Sequence, residues 1–218
     1  MSPLLLVINP NSSPVVTQAI DQALDPFRSN AGPRIEVTGI ADGPNGIETQ
    51  EHVEQVVPLV LRTIRQRQDA SGYVISCFSD PGLYAARETT SKPVFGIAEC
   101  GILTALSLGA RFGLISILPG VIQRHIRFIG AMGMGLRFAG DRAIGRGVAE
   151  LTDEKATFAR MRDVGIELRD RDGADVVVMA CAGMAQYRSR LADSLGIPVV
   201  EPSQAAVSMA LGRIQLGW

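Results

Sequence analysis

Two stretches of this chain repeat the same order of parts, and that repetition limits the available folds more than any other feature. Gly72-Tyr73-Val74-Ile75-Ser76-Cys77 and Asp175-Val176-Val177-Val178-Met179-Ala180-Cys181 are each a short apolar run closing on a cysteine. Each leads into a stretch of helical period (83–89 and 187–195), then into Lys92-Pro93-Val94 or Ile197-Pro198-Val199, then into a second helical stretch. The proline follows its cysteine by 16 positions in one copy and 17 in the other. The cysteines stand 104 positions apart, close to half of the 218 residues, so each half supplies one. A pseudo-twofold arrangement of the halves sets them face to face.

The rest of the chain agrees with a duplicated α/β plan. Short Val-, Ile- and Leu-rich runs alternate with longer segments of helical period, the pattern of strands and crossover helices in a parallel sheet. Strands are expected at 4–8, 35–40, 73–76, 94–97, 112–117, 176–180 and 199–200. Segment 51–67 lines Val53, Val56, Val57, Val60, Leu61 and Ile64 along one helical face, and 152–169 does the same with Phe158, Met161, Val164 and Leu168. Asp42-Gly43-Pro44-Asn45-Gly46 marks a loop, and no long linker or low-complexity tract separates the halves. The expected fold is α/β: two pseudo-symmetric lobes, each a mostly parallel sheet flanked by helices, with the active site at the lobe interface. The first lobe is expected to take 1–97 with 205–218, and the second 98–204.

Charge and cysteine usage exclude several classes. The 21 basic and 22 acidic residues are scattered, leaving no basic stripe for nucleic acid or an anionic membrane. The apolar start, Met1 to Ile8, has no basic leader and runs into the turn-forming Asn9-Pro10-Asn11-Ser12, so it reads as a first strand, and a soluble, cytoplasmic protein is expected. Three widely spaced cysteines are too few for a disulfide framework. With His52 and His125 they show none of the short paired spacings of zinc sites, so neither metal nor cofactor is expected. Helices exposed on both lobes point to a homo-oligomer of unspecified symmetry.

In open parallel sheets, ligands bind beyond the carboxyl ends of strands, where both cysteines fall. A thiol at a helix start feels unsatisfied N–H groups that favour the thiolate, so one thiolate and one thiol are expected to coexist near neutral pH. Asp80-Pro81 is expected to cap and open the helix after Cys77, its carboxylate partly offsetting that field. After Cys181, Ala182-Gly183-Met184 offers no capping side chain, which leaves N–H groups for a ligand oxygen. Inverting a carbon next to a carbonyl needs a base on one face, an acid on the other and donors where enolate charge develops. Two opposed thiols with backbone N–H groups meet that need. For each thiol alone, burial as a small apolar side chain is the competing reading.

At these residues the chain resembles a known family. Ile8-Asn9-Pro10-Asn11-Ser12-Ser13, Ser76-Cys77-Phe78-Ser79-Asp80-Pro81-Gly82-Leu83 and Cys181-Ala182-Gly183-Met184-Ala185 together are similar to the hydantoin racemase branch of the aspartate/glutamate racemase superfamily, over essentially the whole chain. The resemblance implies an active site between two lobes and cofactor-free proton exchange at C5 of a cyclic ureide, a hydantoin or allantoin, with Cys77 and Cys181 serving opposite enantiomers. It further implies substrate contacts from Asn9 and Ser12, from Phe78 and Ser79, and from the Ala182-Gly183 backbone. Where family members often carry a Thr-Thr pair, this chain reads Leu114-Ile115-Ser116-Ile117, so Ser116 replaces one hydroxyl as a substrate contact. The Asn-Thr and Thr-His pairs that follow the cysteines of glutamate racemases are absent.

Other residues are read as structural. Cys100 has no counterpart in the second half and is expected in the core, Glu99 either lines the cleft or begins a helix, and His52 and His125 are given surface or packing roles. Gly130-Ala131-Met132-Gly133-Met134-Gly135 does not follow a first strand and is read as a turn rather than a dinucleotide loop. The readings that compete with a racemase are a maleate-type isomerase or arylmalonate-type decarboxylase of the same superfamily, a thiol hydrolase, and a small-molecule binding protein without chemistry.

Overall fold

Among the described residues, eight strands form two four-stranded sheets in which all neighbours run parallel. The computed structural model describes residues 2–29 and 32–217. Residues 1, 30, 31 and 218, which fall within the expected first-lobe ranges, lie outside them. The first half runs β1 (Leu4–Asn9), α1 (Pro14–Ala23), β2 (Arg34–Gly39), α2 (Gln50–Gln66), β3 (Gly72–Ile75), α3 (Leu83–Thr89), β4 (Val94–Gly96) and α4 (Ile97–Leu108). The second half runs β5 (Phe112–Ser116), α5 (Ile122–Ala131), β6 (Phe138–Ala143), α6 (Glu154–Asp170), β7 (Val176–Met179), α7 (Arg188–Leu195), β8 (Val199–Val200) and α8 (Pro202–Leu216). The strand orders are β2-β1-β3-β4 and β6-β5-β7-β8, the same order twice.

Local chemistry explains the elements. Strands β1, β3, β5 and β7 are buried at every position, which is why they read as unbroken apolar runs rather than alternating ones. Thr49 caps α2 by accepting from the His52 N–H at 3.1 Å, and the helix buries Val53, Val56, Val60 and Ile64. Asp153 caps α6 in the same way at the Ala156 N–H, and α6 buries Met161, Val164 and Leu168. Strand β6 was not expected. Its sequence Phe-Ala-Gly-Asp-Arg-Ala lies at a sheet edge and is half-buried throughout, with Arg142 held by Asp172 and Glu167, so no apolar run announces it.

The two halves exchange helices. Helix α4 leaves β4 of the first sheet and packs on β7 of the second, while α8 leaves β8 and packs back on β3, and the two helices pack against each other. Helix α1 likewise lies against the short 3₁₀ helix Ala182–Tyr187 that follows Cys181. The carboxyl ends of β3 and β7 therefore open into one shared space. No helix among the described residues is long and apolar enough to cross a membrane.

Candidate active site

Cys77 and Cys181 line the same cavity, two residues beyond the ends of β3 and β7, which pair with the sheet centres β1 and β5. The cavity opens to solvent, and the space within it out to that opening is about 470 Å³. Its walls include Asn11, Val16 and Ile47 from the first half and Ile117, Val121, Arg124, His125 and Val148 from the second. The loop before α2 closes one side: the Glu48 carboxylate accepts the Val148 N–H at 2.7 Å, a bond between halves. Ser76 and Ser203 hydroxyls join at 3.0 Å beneath the floor.

Each thiol faces a backbone N–H two residues downstream, Cys77 that of Ser79 and Cys181 that of Gly183. Gly183 keeps that approach open, since a Cβ there would sit 3.6 Å from the Cys181 sulfur and 3.0 Å from Leu151. The expected coexistence of thiolate and thiol near neutrality is not what the surroundings favour. Both cysteines are half-buried and line the cavity, and burial pushes Cys77 up to about 12 and Cys181 up to about 11 against the pull of those N–H groups. The neighbouring thiol and Asp80 add to the rise at Cys77, which Arg124 opposes; Glu48 and Glu201 add to it at Cys181. Alkylation by iodoacetamide, read by mass spectrometry at each site, is expected to keep accelerating up to pH 10, whereas free cysteine levels off around its pKa of about 8.5. A plateau below pH 9 at either residue contradicts this environment.

Asp80 does not cap the helix that follows it. It adopts a left-handed φ of 42°, α3 starts only at Leu83 behind Gly82, and the Asp80 carboxylate instead accepts from Ala98 N–H (2.9 Å) and Glu99 N–H (2.8 Å) at the start of α4. The second half reaches the same result with a different residue: Glu201 accepts from Ser203 and Gln204 N–H groups at the start of α8. Counted from Pro93 and Pro198, Gly96 occupies the position of Glu201. Gly96 lacks the side chain whose place the Asp80 carboxylate fills. Burial raises both carboxyls, each to about 7, against the pull of the helix N–H groups.

Of the other expected contacts, Phe78, Ser79, Ala182 and Gly183 line the cavity. Asn9, Ser12 and Ser116 do not. The Asn9 amide is spent inside its own loop, donating to Asn11 Oδ1 and Thr17 Oγ1, both at 2.9 Å, and Asn11 takes its place at the wall. Ser12 lies on an outer groove, its N–H donating to the Pro44 carbonyl. Ser116 is fully buried and donates to Asp141 Oδ1 at 2.5 Å. Asn9 and Ser116 end the first strand of their halves, and each is tied to the helix that follows, Asn9 to Thr17 of α1 and Ser116 to His125 of α5.

Sequence reasoning missed Arg124 and His125. Arg124 donates to Ser79 Oγ at 3.0 Å beside Cys77 and makes no ion pair among the described residues. His125, expected on a surface or in packing, is a buried wall residue bonded to Asp141. Cys100 is in the core as expected, and Glu99 begins α4 and pairs with Arg87.

Comparison with known proteins agrees with this geometry. The profile of the Asp/Glu/Hydantoin racemase family matches residues 5–210. The chain is 32% identical over 216 residues to a hydantoin racemase of Pseudomonas sp. (strain NS671), covering 97% of this chain and 86% of the relative. It is 34% identical over 216 residues to a hydantoin racemase of Rhizobium meliloti, covering 97% and 89%. The solved structure of allantoin racemase from Klebsiella pneumoniae superposes with a TM-score of 0.92 at 30% identity, over 99% of this chain and 89% of that one. On the two-sheet architecture, the cavity between the halves and these matches, the chain belongs to the Asp/Glu/Hydantoin racemase family.

Proposed function

We propose that the chain inverts C5 of a hydantoin-type ring, a 5-substituted hydantoin or allantoin, by proton transfer between Cys77 and Cys181 without a cofactor. The observation that carries this reading is the pairing itself: two thiols from equivalent strand ends share one cavity, each backed by a main-chain N–H of its own loop. One thiol first gives up its proton to solvent; the resulting thiolate removes the C5 proton, and the electron pair of the C–H bond moves to the adjacent carbonyl oxygen. The opposite thiol delivers its proton to the other face of C5. No atom is gained or lost; the charge has passed from one sulfur to the other, and the mirror-image substrate finds the site in its working form. A proton next to a carbonyl is acidic enough for this transfer once the developing oxyanion is met by fixed donors.

A thiol hydrolase is the reading most favoured after this one, because His125, held from behind by Asp141, lines the same cavity. It requires an imidazole on a sulfur, and among the described residues no hydrogen bond joins His125 to either thiol. The deciding experiment follows optical rotation of single enantiomers of allantoin and 5-methylhydantoin in deuterated water. The expected result is decay to zero rotation with one deuterium entering C5 and no new compound. Release of a ring-opened product identifies a hydrolase, and inertness of every ring moves the search to dicarboxylates.

A further inference from the structure

The racemase reading uses two thiols and leaves unexplained a third chemical group in the same wall. His125, in the first turns of α5, is 4% exposed, and what it exposes lies on the cavity. Its Nδ1 is fixed at 2.7 Å from Asp141 Oδ2 and 3.2 Å from Ser116 Oγ, while the Ser116 hydroxyl is committed to Asp141 Oδ1. The Phe78 ring stands edge-on to the imidazole at 5.3 Å and 80°, which removes the remaining rotational freedom. Nε2 takes part in none of these bonds, and no enclosed side-chain nitrogen among the described residues lacks a partner, so Nε2 is the atom that opens onto the cavity.

The groups around the ring fix where Nε2 points. The Asp141 side chain is fully buried, and its partners are the Ser116 hydroxyl and the imidazole, with no arginine or lysine in reach among the described residues. A carboxylate at that depth must be hydrogen-bonded, and Nδ1 and the Ser116 hydroxyl meet that need, which fixes the ring with Nε2 toward the cavity. Arg124, the preceding residue, brings a guanidinium to the same wall at Ser79.

Resting on the racemase reading, we propose that His125 is a catalytic residue: its Nε2–H donates to the ring carbonyl oxygen that receives the electron pair when the C5–H bond breaks, and Asp141 and Ser116 are the positioning residues that hold it there. The thiols move protons; His125 holds the charge between the two transfers.

The chain has two histidines, so protein labelled with ¹⁵N-histidine shows two imidazoles, and a His52→Gln variant assigns them. On saturation of the wild type with racemic 5-methylhydantoin, the His125 Nε2 and its proton are expected to shift and the proton to exchange slowly, while His52 stays unchanged. Kinetically, His125→Gln should lower kcat about 100-fold with KM within about threefold, the scale of losing one oxyanion donor. His125→Ala should regain activity on addition of free imidazole, a rescue that a packing residue would not show. The proposal fails if Nε2 is unmoved while the same sample exchanges C5 deuterium, or if kcat of a folded His125→Gln protein stays within threefold of wild type. Where that variant does not fold, the wild-type spectrum decides alone. Absence of C5 exchange in the wild type removes the racemase reading, and this proposal with it.

Discussion

Cys77→Ala and Cys181→Ala are each expected to lower kcat/KM for racemisation by at least about a thousandfold, and the double variant should be little worse than either single one. A positioned acid or base contributes about 10² to 10⁴, and here the two act as one device, so losing either stops inversion in both directions. The sharper expectation concerns exchange without inversion. With Cys77 gone, Cys181 can still remove and return a proton on its own face of the ring. One enantiomer should then take up deuterium at C5 while its rotation holds, and Cys181→Ala should show the same for the other enantiomer. Nuclear magnetic resonance of C5–H alongside polarimetry separates the two processes. Racemisation within tenfold of wild type in either single variant would sink the two-thiol mechanism.

The largest stability effect is expected at a residue that touches no substrate. A Cβ on Gly96 would lie 2.5 Å from Asp80 Oδ1 and nearer still to the carboxyl carbon. Gly96→Ala must therefore expel the carboxylate from the two N–H groups it caps, combining an overpacked contact with a lost helix cap, together about 3 kcal/mol. For a chain of this size that corresponds to a fall in Tm of about 6–12 °C. Asp80→Ala alone gives up the cap without the clash, so Gly96→Ala made in that background should cost far less than in the wild type. Thermal unfolding of the four proteins measures the coupling. Strictly additive losses would mean that Gly96 and Asp80 do not act through this contact.

Much of this was written in the order of residues. The duplicated strand-to-cysteine unit and the proline spacing foretold the two like sheets and the shared cavity, because central parallel strands must be apolar at every position and so stand out. Strand β6 escaped notice because an edge strand carrying Asp141 and Arg142 has no such run. The inward Asp141 is what pairs with His125, so the missed strand and the misread histidine have one cause. A histidine among arginines on an amphipathic helix looks solvated until the partner that buries it is known. Asp80 was misread for a similar reason: Asp-Pro satisfies local capping rules, and only the fold brings the start of α4, 18 residues away, within its reach. Local rules failed where a distant backbone offered better-placed donors.

The surroundings of the two thiols are unlike, with Arg124 and Asp80 on one side and Glu48 and Glu201 on the other. Mirror-image substrates have equal free energy in an achiral solvent, so their equilibrium ratio is one, and the kcat/KM values of forward and reverse reactions must be identical whatever the protein does. A racemase can be lopsided only by scaling kcat and KM together. The uneven charges around this cavity therefore have a single permitted outlet: one enantiomer held tightly and turned over slowly, the other held loosely and turned over fast.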